Sequence, residues 1–247
     1  MNELMTKSLA QIVTGNHRTA AIFEKYHLDF CCKGKRSLEQ ACNEQNIATN
    51  ELLAELESIS SAPVTGTAGF PFDQLTLTQL SNYIVSTHHA YVKGELPQLF
   101  SYIEKVAAKH GERHPELYKI FELVVAIKEE MELHMRKEEQ ILFPRIQEIE
   151  NIATQDKESP QLNINYLQSP ISVMEQEHDH AGALTAEIRQ LTSNYTAPPD
   201  ACTTYKLLFA SLQAFETDLH QHVHLENNIL FPKAIELFQH LNEVRMN

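Results

Sequence analysis

The sequence predicts an all-α fold, a four-helix bundle preceded by a small helical domain. The chain of 247 residues is 43% hydrophobic with only 7 glycines, a composition typical of a packed and mostly helical protein. Apolar residues recur at three- and four-residue spacing along the C-terminal part of the chain. Proline and serine stand where helices of that part are expected to begin.

Residues 1–60 are expected to form the small helical domain. The run Ser37-Leu-Glu-Gln40 has the form of a capping box, which opens a helix. Residues 61–73 are rich in serine, glycine and proline and are predicted to be a linker. Because 60 residues bury little core alone, the domain is expected to pack on the rest of the chain or on a second subunit. The latter arrangement would make the protein a homodimer.

Residues 74–247 are predicted to form the bundle. Its four helices are expected over about 74–106, 115–149, 169–194 and 200–245. Ser169 and Pro170 predict a cap and a first-turn proline at the start of the third helix. Pro144 and Pro232 predict a disturbance within the second and fourth helices.

A duplicated motif carries the chemistry of the chain. His134 is followed four residues later by Glu138, and His222 in the same way by Glu226. Both copies close with Ile-Leu-Phe-Pro. Four residues are just over one helical turn, so each His and its Glu project from the same face of a helix.

Both pairs continue an apolar stripe. The predicted stripes are Ile120, Val124, Ile127, Met131, His134, Glu138 and Ile141 on the second helix, and Leu208, Leu212, Phe215, Leu219, His222, Glu226 and Ile229 on the fourth. A glutamate on such a stripe is costly unless it is paired or bound to a cation. A buried His–Glu hydrogen bond in an ordinary core is the alternative, and the duplication favours a metal site.

Each motif has a histidine upstream. His89 lies 45 residues before His134, and His178 lies 44 residues before His222. The apolar spacing suits His88 as well as His89, and the offset of the repeat favours His89.

Other histidines compete with these positions. His180 is close to His178, which is the one in phase with the apolar residues of the third helix. His220 and His224 lie four residues apart and would suit a surface zinc site. We prefer His222, because it continues the apolar stripe and matches the first motif.

Four imidazoles and two carboxylates suit iron, manganese or zinc. Six ligands are too many for a structural zinc, which closes at four. If both glutamates bridge two ions, each ion has two carboxylate oxygens and two histidines, and an oxo or hydroxo bridge makes five. Octahedral iron would then keep an open position for a small diatomic molecule. The expected cofactor is therefore a non-haem centre of two iron ions, bridged by oxo and carboxylate groups.

Three acids are candidates for a role around the metals. Glu130 lies one turn before His134, and Asp218 lies one turn before His222. Either would suit the hydrogen bond that a ligating histidine donates from its second nitrogen, or it is an exposed charge. Glu177 is either a proton relay or a solvated charge.

Several motifs carry a family resemblance that runs nearly end to end. They are Tyr26-His-Leu-Asp-Phe-Cys-Cys-Lys-Gly34, His134-x3-Glu-Glu-Gln-Ile-Leu-Phe-Pro144, Pro170-Ile-Ser-Val-Met-Glu-x-Glu-His-Asp179, Ala201-Cys-Thr-Thr and His222-x3-Glu-Asn-Asn-x-Leu-Phe-Pro232. With them the chain resembles the iron–sulfur cluster repair di-iron proteins, called RIC (repair of iron centres), whose bundle is a haemerythrin-like domain. The resemblance implies the iron ligands His89, His134, Glu138, His178, His222 and Glu226, with both glutamates bridging.

The same resemblance implies a function. Members of the family are implicated in restoring iron–sulfur clusters damaged by nitrosative or oxidative stress, by iron donation or by reduction of nitric oxide. A nitric oxide reductase activity is thus one expectation, and damaged iron–sulfur proteins, nitric oxide and oxygen are the expected partners. Oxygen-carrying haemerythrins are similar but use five histidines, so four histidines favour reactivity. The alternative is a haemerythrin-like sensor or carrier of oxygen or nitric oxide without turnover.

Cys31 and Cys32 are followed by Lys33, Lys35 and Arg36. Nearby cations are expected to stabilise thiolates and to lower their pKa. A vicinal disulfide is strained, so two thiols are the expected resting form. The resemblance implies a functional role for the pair in handling iron or nitric oxide, and two packing residues are the alternative.

Charge narrows the list of partners. The chain has 20 basic and 33 acidic residues, a net charge of −13. Binding to nucleic acid or to anionic lipid is therefore not expected. No run approaches the roughly 20 apolar residues of a membrane helix, and the N-terminus lacks the pattern of a secretion signal. A cytoplasmic location is expected, with the four cysteines as thiols.

Overall fold

The computed structural model describes residues 3–61, 71–155, 163 and 165–246. In these ranges the regular elements are helices, apart from one isolated antiparallel bridge between Ser8 and Ser37. The predicted all-α class is therefore confirmed. Residues 62–70 of the predicted linker lie outside the described residues. Among the described helices, none is long and apolar enough to cross a bilayer.

The N-terminal part is built from short helices. They are α1 (Glu3–Thr6), α2 (Leu9–Gly15), α3 (Ala20–Lys25), α4 (Leu38–Gln45) and α5 (Thr49–Ser61), with a 3-10 turn at His17–Thr19. The capping box predicted at Ser37 is confirmed, because its hydroxyl accepts from the Gln40 amide and the Gln40 side chain accepts from the Ser37 amide. Ser8 and Gln11 cap α2 in the same way.

Four long helices follow a 3-10 turn at Phe72–Gln74. The first comprises α6 (Leu77–Ile84), a π turn (Val85–His89) and α7 (Ala90–His110); the second comprises α8 (Glu116–Lys137), a π turn (Glu138–Leu142) and α9 (Phe143–Gln155); the third is α10 (Asn165–Leu191); and the fourth comprises α11 (Thr203–Leu225), a π turn (Glu226–Leu230) and α12 (Phe231–Met246). The first and third helices each pack against the second and the fourth. This is the packing of a four-helix bundle.

The π turns change the register that simple helical spacing predicts. Pro144 and Pro232 are each the second residue after a π turn. A proline has no N–H for the helical ladder, and the wider turn takes up one extra residue there. The predicted position of Ile141 in the core is consequently wrong, because Ile141 is 46% exposed and Leu142 is buried in its place.

The third helix starts four residues earlier than predicted, at Asn165, so that Ser169 and Pro170 lie inside it. Pro170 leaves the carbonyl of Tyr166 without its helical donor. The Arg145 guanidinium donates to that carbonyl at 2.9 Å and replaces the missing bond. Because this donor comes from another helix, the sequence around Pro170 did not reveal it.

Two clusters of buried apolar residues form the core. One cluster, which includes Leu80, Phe143 and Phe231, fills the end of the bundle at which the first and third helices begin and the second and fourth helices end. The other runs from the opposite end of the bundle into the N-terminal helices, where Phe23 and Phe30 belong to it. The N-terminal helices thus share a hydrophobic core with the bundle of the same chain.

Candidate metal centre

The six predicted ligand side chains meet inside the bundle. All six are at most 2% exposed: His89, His134, Glu138, His178, His222 and Glu226. They come from all four long helices, and three of them lie at a π turn. Their donor atoms form two groups, each with all atoms within 4.8 Å of one another: His89 and His222 with both glutamates, and His134 and His178 with both glutamates.

Each glutamate lies between histidines of different groups. The Glu138 Oε2 atom is 3.3 Å from Nε2 of His89 and 3.3 Å from Nε2 of His134. Nε2 of His222 is 3.0 Å from Glu226 Oε1, and Nε2 of His178 is 3.1 Å from Glu226 Oε2. A carboxylate that bridges two cations needs such a position.

The histidine protonation pattern also suits a cation. Nδ1 of His134 lies 2.9 Å from a Glu177 oxygen, and Nδ1 of His178 lies 2.9 Å from the Asn227 side-chain oxygen. Each Nδ1 therefore donates a proton, so each Nε2 is the nitrogen left to bind a cation once any proton on it is displaced. The two Nε2 atoms lie 3.0 Å apart. Two lone pairs at that distance repel unless a cation or a shared proton lies between them.

A third histidine has a similar support. Nδ1 of His89 lies 2.8 Å from Glu139, which also binds Lys93 at 2.6 Å. Glu177 likewise contacts Lys137. Two of the histidines thus donate to a carboxylate that a lysine also holds, which fixes the orientation of the rings.

The fourth histidine is held differently. Nδ1 of His222 has no hydrogen-bond partner among the described residues. The His88 ring stacks in parallel on the His222 ring, with 5.5 Å between the ring centroids. Nδ1 of His88 is bonded to Asp218 at 2.9 Å. Hence His89, and not His88, reaches the cluster, and Asp218 supports His88.

Electrostatics make this site a receptor for positive charge. Both Glu138 oxygens and one Glu226 oxygen are buried and lack a hydrogen-bond partner within the described ranges. Burial opposes the charge of Glu226, but His222 and His178 outweigh it and hold its pKa well below the usual range. Burial also opposes the charge of His134, yet Glu138 raises its pKa to about 10. A bound cation would displace such protons and neutralise the carboxylates.

The remaining candidates lie apart from the six ligands. Glu130 binds His180 at 2.8 Å on the surface. His220 binds Glu24 at 2.7 Å, and His224 contacts Asn228. His220 and His224 thus have different partners, and neither belongs to the two groups of donor atoms around the glutamates.

Sequence reasoning missed two supporting residues. Glu139 and Asn227 each follow the glutamate of a motif and support the upstream histidine of the same repeat, His89 and His178. The duplication itself contained this signal, because the two residues occupy equivalent positions of the repeat.

The cysteine pair lies against the bundle. Asp29 accepts hydrogen bonds from the amides of Cys31, Cys32 and Lys33 and shapes the turn around them. The hydrogen bond with Cys32, together with burial, holds the pKa of Cys31 well above its ordinary value. The predicted lowering of the Cys31 pKa by nearby cations is therefore wrong. The Arg36 guanidinium forms an ion pair with Glu44.

A four-helix bundle in which two histidine groups share two buried glutamates defines a haemerythrin-like metal-binding protein. Residues 80–234 match the Hemerythrin HHE cation binding domain, and residues 5–60 match the ScdA_N domain of unknown function (DUF542). The chain is 37% identical over 229 residues to the "Iron-sulfur cluster repair protein YtfE" of Yersinia pestis (strain Pestoides F). It is equally similar to the protein of that name from Yersinia pseudotuberculosis serotype O:3 (strain YPIII). Each match covers 93% of this chain and 96% of the relative. The chain therefore belongs to the haemerythrin HHE family, within its iron–sulfur cluster repair group, and the resemblance of the motifs is confirmed.

Proposed function

We propose that this protein repairs iron–sulfur clusters damaged by nitrosative or oxidative stress, and that it does so with two irons in the bundle. The observation that carries the proposal is the pair of histidine groups that share Glu138 and Glu226. His89 and His222 would hold one iron, and His134 and His178 the other. The relatives that match over nearly the whole chain are named for this repair.

Bound iron would supply a redox-active centre with an open position for a diatomic molecule. The protein contributes the surroundings of that centre. Glu177 and Glu139 hold His134 and His89 in the tautomer that leaves Nε2 free. The Glu177 side chain is 31% exposed, so it links His134 to solvent. Reduction of nitric oxide consumes protons, and Glu177 is the residue that we propose to relay them.

Iron donation is the other chemistry that would achieve repair. It requires that iron can leave the site and be replaced. Glu139 and Glu177, which lysines also contact, orient two of the histidines and are not ligands, so the release of iron would depend on the six ligands. The proteins that receive iron would be damaged iron–sulfur proteins. We place these events in the cytoplasm, because all four cysteines are free thiols.

A sensor or carrier of oxygen or nitric oxide is the second candidate function. The six predicted ligands form a buried cage that would suit it, but a carrier has no need of two thiols packed against the bundle. Cys32 lies with its sulfur 3.7 Å from the carbonyl oxygen of His178. Loss of cellular repair when Cys31 and Cys32 are replaced by serine would count against the carrier.

The experiment that tests the proposal exposes the iron-loaded, reduced protein to nitric oxide without oxygen. Nitrous oxide as the product indicates reduction. A stable nitrosyl without product leaves donation, which an assay of cluster repair on a nitrosylated iron–sulfur protein then measures. A stable nitrosyl without any repair would contradict the proposal and support the carrier.

A further inference from the structure

A second metal site is formed by the N-terminal cysteine motif. We propose that Cys31, Cys32 and Asp29 bind one borderline-soft divalent cation, such as ferrous iron or zinc, through two thiolates and a carboxylate. The donor atoms of these three residues lie within 4.8 Å of one another. None of the three belongs to the cage of histidines and glutamates.

The separation of the two sulfurs is the first argument. The Sγ atoms of Cys31 and Cys32 lie 3.7 Å apart. A tetrahedral ion with two metal–sulfur bonds of about 2.3 Å holds its sulfurs about 3.8 Å apart. The unbound pair is therefore already set at the spacing that chelation requires. A disulfide would need the sulfurs at about 2.05 Å, which would force the turn to change.

The turn that carries the pair is the second argument. Oδ1 of Asp29 accepts from the amides of Cys31, Cys32 and Lys33 at 2.9 to 3.2 Å. Asn228 of the bundle donates to the carbonyl of Cys31 at 3.0 Å. These bonds fix the main chain of the turn that carries both thiols before any ion arrives. A preorganised site avoids much of the entropy that ordering the ligands would cost.

Access is the third argument. A cleft of about 610 Å³ opens between the N-terminal helices and the bundle, and Cys31, Cys32 and Asp29 line it. Three basic residues also line the cleft, Lys33, Arg36 and Arg189, of which Arg36 binds Glu44 and Arg189 contacts Glu216. Through this cleft an ion can reach the sulfurs from solvent and take a further ligand from a partner molecule.

Binding is a simple exchange. The ion forms two metal–sulfur bonds, and the two thiols release two protons to solvent. The raised pKa of Cys31 opposes the release of its proton. Iron handling in cluster repair would use such a site beside the cage. The sulfur of Cys32 lies 3.7 Å from the main-chain oxygen of the predicted ligand His178. This link to iron handling, unlike the binding itself, rests on the proposed function.

Cobalt(II) is the probe that tests the site, because thiolate–cobalt charge transfer in the near ultraviolet cannot arise from histidine or carboxylate. The full-length, reduced protein with iron in its cage is titrated with cobalt without oxygen. We expect one equivalent of cobalt to bind with the intensity of two thiolates. The Cys31→Ser/Cys32→Ser variant should lose the band, and the matched Cys42→Ser/Cys202→Ser variant should keep it.

An Asp29→Asn variant adds a check that leaves both thiols in place. Its amide oxygen can still accept from the turn, so the fold is kept, and the cobalt affinity should fall about tenfold. Absence of a thiolate band in the wild type, or a band that survives loss of Cys31 and Cys32, would overturn the proposal. The band reports binding alone, so it distinguishes failure of this site from failure of cluster repair.

Discussion

Replacing Glu177 by alanine is expected to weaken iron binding while the protein stays folded. Glu177 accepts from Nδ1 of His134 at 2.9 Å and also contacts Lys137. A hydrogen bond that involves a charged group contributes about 1.5–3 kcal/mol. The Glu177 side chain is 31% exposed, so solvent screening favours the lower value. Since about 1.4 kcal/mol corresponds to a factor of ten, the dissociation constant for iron should rise about tenfold.

Glu130→Ala is the matched control for this change. Glu130 lies one turn before His134 in the sequence, but its partner is the exposed His180. Its loss should leave the iron affinity unchanged. The affinities are measured at equilibrium by competition with a coloured chelator, and circular dichroism checks the fold. Equal losses in the two variants, or a loss in Glu130→Ala alone, would refute the assignment of Glu177 to His134.

Two further predictions concern stability. Glu150→Gln should lower the free energy of unfolding at neutral pH by about 1–2 kcal/mol, because Glu150 accepts from the amides of Leu77 and Thr78 at 2.6 and 2.9 Å and caps α6. Burial opposes the charge of Glu150, these bonds outweigh it, and its pKa in the folded state is lowered. The stabilisation is therefore full above the unfolded pKa of about 4.3 and is lost as pH falls through the lower folded pKa. In denaturant titrations, the difference in free energy of unfolding between wild type and Glu150→Gln should therefore be smaller at acid pH than at neutral pH. A difference that does not depend on pH would contradict this reasoning. Gly34→Ala should destabilise the N-terminal helices by about 1–3 kcal/mol, because a Cβ at this position would lie 2.9 Å from Cβ of Ala10 and would clash with the backbone of Phe30. An unchanged thermal unfolding temperature would count against this prediction.

The bundle and its ligands could be predicted because both depend on spacing along the chain. A histidine and a glutamate four residues apart share a helix face in any bundle, and the duplication marked His134 and His222 against their neighbours. The structure brings the upstream residues His89 and His178 to the same place. Apolar spacing was sufficient for His178, whereas at His89 it left His88 open, and the offset of the repeat and the family resemblance favoured His89.

The details that were missed depend on other helices. Glu130 and Glu177 are both acids near a predicted ligand in the sequence, and the packing of α10 against α8 decides which of them reaches His134. The Arg145 side chain likewise decides whether a helix can pass through Pro170. Spacing within one helix has no information on such contacts.

The π turns and the thiols show two other limits. One extra residue in the turn after Lys137 moved Leu142 into the core in place of Ile141, and helical spacing does not predict it. Arg36 is near Cys31 in the sequence, but it is bound to Glu44. The pKa of Cys31 is raised by its hydrogen bond with Cys32 and by burial, which proximity in the chain does not report.

The central claim is that the two shared glutamates hold two irons, and metal content tests it most directly. Protein reconstituted with iron without oxygen is analysed for iron per chain, beside a Glu138→Leu/Glu226→Leu variant whose fold is checked by circular dichroism. The account predicts about two irons in the wild type, one for each histidine group, and none in the variant. Two irons retained by the folded variant, or a folded wild type that takes up no iron, would contradict it.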